Sequence, residues 1–218
     1  MGDVSFAATS GRVYQCTERR FLTMHVGPQV HSLRKERGLS LRALAERASV
    51  SASMLCDLEK GQVNPTVGTL FQISSALGVP AHALFPSAPE AKPGVAGNTM
   101  EQGSPTISPV VRADERATIP LTGGIQWQRL TPSAEPVEFI EMRYPPGASS
   151  GDALHQHPGR EYGVVLVGEL TLDLGFDRHV LKAGDSVAFN STTPHRLSNQ
   201  GTEDARMLWV NHNTAGTV

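Results

Sequence analysis

The chain has 218 residues, which is more than a minimal domain needs and enough for two domains of ordinary size. Hydrophobic residues make up 39% and charged residues 18%, so the sequence can build a core, and disorder throughout is excluded. No uninterrupted apolar run approaches the roughly 20 residues that span a bilayer, which excludes a transmembrane helix. The two cysteines, Cys16 and Cys56, are too few for a disulfide framework and fit a reducing compartment. We therefore expect a cytoplasmic protein with no membrane partner.

The formal net charge of -2 conceals an asymmetry between the two parts of the chain. Residues 1–86 contain 9 Lys and Arg against 6 Asp and Glu, whereas residues 87–218 contain 10 against 15. A basic first part and an acidic second part indicate two different functions. The basic excess is too small to indicate nucleic-acid binding by itself.

The first part of the chain has a helical pattern. Within residues 26–86 the apolar residues are spaced three and four apart, which is the period of amphipathic helices. Ser40 and Ser51 stand where N-caps of the second and third helices are expected. A last short helix is predicted over 81–85, so the segment should form a bundle of five short helices. Residues 1–25 lack sustained periodicity and are predicted to form a flexible N-terminal tail.

The second part of the chain has the pattern of a β protein. Residues 87–110 are rich in proline and glycine and poor in large apolar residues, which indicates a linker. Between 111 and 212, short alternating or apolar segments are separated by turn residues, as in an all-β sandwich or barrel. Residues 213–218 are predicted to be a C-terminal tail. The predicted strands are 125–130, 137–144, 162–167, 170–174, 179–181, 186–189 and 207–210.

A short turn, Ala48-Ser49-Val50, joins the second and third predicted helices, and this is the geometry of a helix-turn-helix. The segment contains Leu39-Ser40-Leu41-Arg42-Ala43-Leu44-Ala45, Val50-Ser51-Ala52-Ser53-Met54-Leu55, Glu59-Lys60-Gly61 and Asn64-Pro65-Thr66. With these motifs, residues 26–86 resemble the XRE-type DNA-binding domain. The resemblance implies that 51–60 is the recognition helix and that the partner is double-stranded operator DNA. Ser49 departs from the family, which often has glycine at this turn position.

The polar face of the third helix should contact DNA, because its apolar face packs on the bundle. We expect Ser51, Ser53, Met54 and Asp57 to enter the major groove, with Arg42 and Lys60 on phosphates. Neither Arg nor Gln stands at the leading positions, so we expect readout by hydroxyls, thymine methyl contacts and DNA shape. The alternative is that Ser51 only caps the helix, Asp57 is solvated and Met54 packs inside.

Four of the eight histidines fall within residues 155–195. His155 and His157 lie on the same side of an extended segment, because side chains alternate along a strand. Glu161 follows four residues later, and His195 comes after a separate predicted strand. Three imidazoles and one carboxylate could hold a divalent transition metal and leave positions open. Zinc, iron, manganese and nickel all suit this donor set.

The spacing is His155-x-His157-x3-Glu161-x6-Gly168, then Gly184-Asp185 and His195-x3-Asn199. Over roughly 115–212 it resembles the two signature motifs of the cupin superfamily. The resemblance implies a double-stranded β-helix barrel of the jelly-roll type, and four metal ligands at the three histidines and the glutamate. The sequence departs from the motifs at Ser149, Asn190 and Thr192, which affect loops and not ligands. The alternative is a metal-free barrel whose histidines hydrogen-bond to a ligand or to one another.

Six further residues are candidates to face the cavity of this domain and bind a small molecule. An arginine there would favour an anionic effector through bidentate hydrogen bonds. The alternative is that most of these side chains face water. The candidates are Gln126, Arg129, Arg143, Tyr144, Tyr162 and Arg196.

The two domains together resemble one-component bacterial regulators that join an XRE domain to a cupin domain. This predicts a multidomain α and β protein, a five-helix bundle followed by an all-β barrel, that acts as a DNA-binding transcriptional regulator. A small molecule would modulate operator binding by a homodimer, and a bound divalent metal is one way in which the cupin domain could sense it. We expect no catalytic residues. Two alternatives stay open: a metal-dependent cupin enzyme (oxygenase, epoxidase or isomerase) that retains a helix-turn-helix, and a DNA-binding scaffold whose barrel only dimerises.

Overall fold

The structure is a computed structural model that describes residues 25–85, 110–131 and 137–212. The predicted N-terminal tail, except for His25, lies outside the described residues. The same holds for the linker, except for Val110, and for the C-terminal tail. Within the described ranges, no helix has both the length and the apolar character that crossing a membrane requires.

Residues 25–85, here called the helical domain, contain α1 (Gly27–Glu36), α2 (Leu41–Arg47), α3 (Ala52–Glu59) and α4 (Val67–Leu77). Hydroxyl side chains cap three of these helices. The Oγ atoms of Ser40 and Ser51 accept the backbone N–H of the third residue onward at 3.1 Å, and Oγ1 of Thr66 does the same at 3.0 Å. These bonds satisfy N–H groups that have no partner within a helix, and so fix where α2, α3 and α4 begin.

The prediction of five α-helices is wrong, because the described part of the chain contains four. The fifth predicted helix is a single 3-10 turn over Ala81–Leu84. Gly78 adopts a left-handed φ of 66° and ends α4, and the N–H of Ala83 then donates to the carbonyl of Pro80 at 3.0 Å. Four residues after a proline are too few to complete an α-helical turn with i to i+4 bonds, so the tighter turn forms.

A buried ion pair joins the first helix of this domain to the third. Nε and Nη2 of Arg34 donate to the two carboxylate oxygens of Glu59 at 2.6 and 2.7 Å. Both side chains are more than nine-tenths buried. Burial raises the pKa of Glu59, but the hydrogen bonds from Arg34 and His31 outweigh it and hold this pKa below its ordinary value of 4.5. The pair therefore fixes the C-terminal end of α3 against α1.

Replacing Glu59 by glutamine should destabilise the helical domain by about 2 kcal/mol at pH 7, because Arg34 loses a charged partner inside the protein. The pKa of Glu59 is lower in the folded chain, so its contribution is present above pH 4.5 and disappears as pH falls through the folded value. Urea unfolding at pH 7 and at pH 3 measures both effects. Glu46→Gln, on the exposed face of α2, is the matched control and should be neutral. A Glu59→Gln deficit that is equal at both pH values contradicts this account.

Residues 110–212, here called the β domain, contain nine described strands. They are β1 (Thr118–Pro120), β2 (Gln126–Arg129), β3 (Val137–Tyr144), β4 (Arg160–Val167), β5 (Glu169–Leu174), β6 (Asp177–Lys182), β7 (Ser186–Asn190), β8 (His195–Ser198) and β9 (Ala205–His212). One antiparallel sheet has the order β1-β2-β3-β9-β4-β7, and a smaller one has the order β6-β5-β8. Their facing sides bury large apolar residues, including Trp127, Trp209 and Leu172. The domain is therefore a two-sheet sandwich.

The prediction of a closed barrel is wrong for the described residues. On its free side, β8 pairs only through isolated bridges, Ser149 with Ser198 and His155 with His195, and not with a strand of the larger sheet. The segment that runs beside β8, 145–159, contains three prolines and three glycines, which interrupt a regular ladder. Its backbone bonds to β8 only at intervals, as between Ser150 and Leu197. The two sheets therefore face each other without merging at this edge.

Helix α4 and the residues just before it contact the β domain. The N–H of Gly68, in its first turn, donates to the carbonyl of Ser150 at 3.2 Å. Just before α4, Thr122 of the β domain donates its N–H to the carbonyl of Pro65 at 3.0 Å and its hydroxyl to that of Asn64 at 2.8 Å. These bonds place the N-terminal half of α4 over one end of the sandwich.

Candidate metal centre and nucleic-acid interface

The start of α3 is the candidate nucleic-acid interface. Ser51 and Ser53 are exposed there, and Lys60 is exposed just beyond the other end of the helix. Met54 and Asp57 are half-buried, and Met54 packs against the core. Ser51 both caps the helix and faces solvent, so capping and DNA contact are compatible at this position. Arg42, at the start of α2, is exposed as well and was predicted to contact phosphate.

The turn before α3 has an unusual backbone. Ser49 has φ 55°, the one positive φ at a non-glycine residue in the described part of the chain. Its N–H donates to the carbonyl of Glu46 at 3.1 Å, which ends α2. A left-handed residue is needed to reverse the chain here, and glycine would adopt that conformation without steric cost. The departure from glycine noted in the sequence is therefore accommodated with a small strain.

Three of the four predicted ligands converge inside the β domain. Glu161 lies on β4, His195 begins β8, and His157 lies in the segment that precedes β4. Nε2 of His157 is 2.5 Å from Oε1 of Glu161, and Nε2 of His195 is 3.4 Å from the same oxygen. The candidate ligand atoms of these three residues all lie within 4.8 Å of one another. All three side chains are at least nine-tenths buried.

The hydrogen bonds of the Nδ1 atoms determine which nitrogen of each histidine is available to a metal. Nδ1 of His195 is 2.8 Å from the carbonyl of Thr193, and Nδ1 of His157 is 3.2 Å from that of Pro158. A carbonyl can only accept, so both Nδ1 atoms carry a proton and donate it. In the neutral ring the lone pair then lies on Nε2, which faces Glu161. Histidines that bind metals are oriented in this way, so the residues fit a metal ion.

His155, the fourth predicted ligand, lies beside this cluster. Its ring centroid is 4.4 Å from that of His195, and their backbones form a bridge with two bonds of 2.9 Å. Its ligand atoms are not among those that converge with Glu161. Its Nδ1 is buried and has no hydrogen-bond partner among the described residues. The role of His155 as a fourth ligand therefore stays a prediction.

The charges of the cluster favour a cation. Burial raises the pKa of Glu161, but hydrogen bonds and charges from His157 and His195 outweigh it and lower this pKa to about 2. Burial and the neighbouring charge of His195 lower the pKa of His155 to about 3, so this ring is neutral. Burial lowers the pKa of His195, but Glu161 reverses the effect and raises it. The centre therefore holds an ionised carboxylate at neutral pH, and a proton on His195 would leave when a metal binds.

A small cavity adjoins this centre, and its wall comes from both domains. The β domain contributes Trp127, Tyr144 and Trp209 besides Glu161 and two of the histidines, and α4 contributes Val67 and Phe71. The two histidines are His155 and His195. Nε1 of Trp209 donates to Oε2 of Glu161 at 3.1 Å, which holds the carboxylate in place. The ring of Phe71 stacks on His157, with centroids 3.8 Å apart and planes 10° apart.

Comparisons with known proteins agree with this two-part architecture. A helix-turn-helix family model matches residues 30–84, and a cupin domain model matches residues 140–211. The chain is 27% identical over 190 residues to the HTH-type transcriptional regulator PuuR of Escherichia coli, over 84% of this chain and 91% of that protein. It is also 27% identical to the HTH-type transcriptional regulator SutR of the same organism, over 83% and 90%.

A solved structure shares the fold of both domains. An HTH_3 family transcriptional regulator from Vibrio cholerae superposes with a TM-score of 0.61 and 26% sequence identity, over 86% of this chain and 94% of that chain. This match extends across the helical domain and the β domain together. The chain therefore joins a helix-turn-helix domain to a C-terminal cupin domain.

In this cupin domain, one of the six predicted effector contacts, Tyr144, lies on the cavity wall. The other five do not line this cavity, and their role in binding an effector stays a prediction. Gln126 points to the face of β2 opposite Trp127, Arg143 is exposed and pairs with Asp204, and Tyr162 is 38% exposed. Arg129 is buried, but its guanidinium lies 5.7 Å from the ring of Phe85. Arg196 pairs with Asp173.

Two wall residues come from the helical domain, and the sequence motifs do not predict them to lie near the cupin site. Val67 and Phe71 are four apart on α4, on a different face from Leu70, Ile73 and Leu77, which pack within the helical bundle. A helix with apolar residues on two faces must be covered on both. That second apolar face was the available signal in the sequence, although it does not say what covers it.

Proposed function

We propose that this XRE-family protein is a transcriptional regulator that binds operator DNA as a homodimer and senses a small molecule in its cupin domain. The domain division would be 26–86 for DNA binding and 111–212 for sensing, with 87–110 as the linker, and the site of action would be the cytoplasm. One observation carries the DNA-binding part: the helical domain buries its apolar side chains and leaves the start of α3, with Ser51 and Ser53, exposed. Relatives similar over both domains are named as transcriptional regulators.

In this proposal Ser51, Ser53, Met54 and Asp57 read bases, and Arg42 and Lys60 hold phosphates. Two copies of α3 in a dimer would enter successive major grooves, with half-sites about 10 base pairs apart. Selection from random double-stranded DNA with the full chain tests this directly. The selected operator should be a palindrome with that spacing, and sites without symmetry would contradict the dimer.

Arg42→Ala should weaken binding to the selected operator and to unrelated DNA in the same proportion, because a phosphate contact carries no sequence information. The slope of log affinity against log salt should fall by about one, since one fewer counterion is released. Fluorescence anisotropy at several salt concentrations measures this slope. Lys182→Ala removes the same charge from the exposed face of β6 and should leave the slope unchanged. An unchanged slope for Arg42→Ala would remove this residue from the interface.

The cupin centre is proposed to hold one divalent transition metal, zinc, iron, manganese or nickel. His157, Glu161 and His195 would be its ligands, and His155 the fourth. The support is chemical, because the Nε2 atoms of both histidines and an ionised carboxylate face one point. The Nδ1 atoms of the histidines and Oε2 of Glu161, which face away from that point, already have hydrogen-bond partners. Such an ion would supply an electrophilic centre with open positions, to which an oxygen or nitrogen of an effector can bind.

We propose that the domain senses and does not catalyse, because the relatives that match both domains are named as regulators. A thermal-shift panel of amino acids, polyamines and organic acids on the full, metal-loaded chain would identify effector candidates. A coupling of about 1–3 kcal/mol, or 5–150-fold in operator affinity, is the expected scale for a true effector. Operator affinity that is indifferent to every stabilising compound, or turnover of one of them, would overturn the sensing role.

A further inference from the structure

Helix α4 belongs to the DNA-binding domain, yet one of its faces forms part of the sensing cavity. Val67 and Phe71 line that cavity, and both are more than nine-tenths buried. The ring of Phe71 stacks on His157, lies 5.7 Å from that of His155, and meets Trp127 edge to face at 6.1 Å. Phe71 therefore closes the cavity directly over the candidate metal ligands.

The cavity is very small while α4 is in this position. About 10 Å³ is open to the centre of a water molecule. This is room for about one water or one ion, whereas pockets for organic ligands have volumes of roughly 300–1,000 Å³. Because the rest of the wall consists of buried core residues such as Trp127 and Trp209, α4 is the part of the wall that can withdraw without unfolding the sandwich.

We propose that α4 is a lid on the cupin cavity, so that an organic ligand and the docked helix compete for the same space. This inference rests on the proposed function, since it describes how the sensing site would communicate with DNA. A ligand that enters displaces Phe71 and α4. The same helix carries Leu70, Ile73 and Leu77 into the core of the helical domain, so displacement moves the recognition helix relative to the β domain.

Among the described residues, few contacts hold α4 against the β domain, which makes displacement by a ligand feasible. Besides the Phe71 and Val67 side chains, they include the Gly68–Ser150 bond and two bonds from Thr122. The guanidinium of Arg129 also lies against the ring of Phe85. A ligand shifts an equilibrium by its difference in affinity for the two states. Here that difference is large, because the closed state has no room for the ligand.

A substitution at Gly68 can displace α4 without changing a residue that lines the cavity. A Cβ at this position would lie 3.6 Å from Cβ of His155, which is ordinary contact. Gly68→Ala should therefore keep α4 docked, and it also favours the helix. The ring of Gly68→Phe has no room between α4 and His155, so it should push the helix away. Phe71→Ala is a second variant, which should leave α4 docked and remove the aromatic ring that closes the cavity.

The two tryptophans of the chain report the state of the lid. Trp127 and Trp209 both line the cavity, and each is 1% exposed. Acrylamide quenching of tryptophan fluorescence, measured on the full chain without DNA, should be weak in the wild type and in Gly68→Ala. It should rise severalfold in Gly68→Phe and in Phe71→Ala. Equal quenching in all four proteins would show that α4 does not cover the cavity, and would overturn the proposal. A rise in Phe71→Ala alone would show that the Phe71 ring fills the opening without any movement of α4, and would overturn the coupling between the cavity and the recognition helix.

Operator binding tests the consequence of displacement. Gly68→Phe should change affinity for the selected operator by at least about fivefold, the lower end of ordinary allosteric coupling, and Gly68→Ala should match the wild type. Unchanged affinity in Gly68→Phe, together with raised quenching, would overturn the link between lid and DNA. Failure of the proposed function looks different, because the wild type would then select no operator while the quenching results stand.

Discussion

Replacing Glu161 by glutamine is expected to lower the affinity of the chain for Zn²⁺ or Co²⁺ by at least about a hundredfold. Loss of a residue that only supports a ligand already costs 10–100-fold, and Glu161 is proposed as a ligand itself. The amide is also forced into a poor orientation. Nε1–H of Trp209 needs an acceptor at 3.1 Å, so the amide oxygen faces Trp209 and the NH2 group faces His157 and His195. Two hydrogens then occupy the direction from which a cation would be bound.

Isothermal titration of chelator-treated protein with Zn²⁺ measures this loss. His179→Gln is the matched control, because His179 is exposed on β6 and away from the cluster, and it should bind as the wild type does. Far-UV circular dichroism and the melting temperature of the metal-free proteins show whether Glu161→Gln still folds. Wild-type affinity in a folded Glu161→Gln would mean that the ion, if bound, does not use this carboxylate.

Replacing Gly163 by alanine is expected to destabilise the β domain by about 3 kcal/mol or more. An added Cβ would lie 2.1 Å from Cε3 and Cζ3 of Trp209, which is far inside van der Waals contact. The indole cannot move aside easily, because it is 1% exposed, bonded to Glu161 and in contact with the ring of Phe189. Forcing extra volume into a packed core costs 1–3 kcal/mol even when the overlap is milder.

Urea unfolding followed by tryptophan fluorescence measures the effect on stability. Gly151→Ala is the control, since its Cβ would meet the carbonyl of Ala153 at 3.6 Å and its backbone φ is not left-handed. That variant should be within about 0.5 kcal/mol of the wild type. If Gly163→Ala folds with the indole displaced, the bond to Glu161 is lost and Zn²⁺ affinity should fall too. Wild-type stability for Gly163→Ala would show that this close packing is wrong.

The helical domain was predictable because its signals are local. Ser40, Ser51 and Thr66 act through bonds to residues three positions away, so the sequence contains the whole interaction. The convergence of His157, Glu161 and His195 depends on long-range folding. The spacing of these residues, which is typical of a known family, predicts the convergence, and periodicity does not. Docking of Phe71 on His157 depends on contacts 86 positions apart in sequence, and no local pattern specifies that pairing.

The absence of Arg143 and Gln126 from the cavity wall that contains Tyr144 has a simple physical cause. Arg143 and Tyr144 are neighbours on β3, and successive side chains on a strand point to opposite faces, so they cannot both enter the cavity. Gln126 pairs with Arg143 across β2 and β3 and shares its outward direction. Knowing that Tyr144 is buried therefore excludes both. The pairing itself could not be derived from the sequence, because it requires the register between strands.

The positions of the three candidate ligands have a consequence for the open edge of the sandwich. Glu161 belongs to the larger sheet, through β4, and His195 to the smaller one, through β8. These two sheets do not share a continuous ladder beside β8. An ion coordinated by both residues would cross-link the two sheets at the edge where, among the described residues, no regular strand pairing joins them, in the way that a disulfide bridges two segments. Its occupancy would then set the resistance of the whole C-terminal domain to heat and proteolysis, in proportion to the logarithm of the free metal concentration above the Kd.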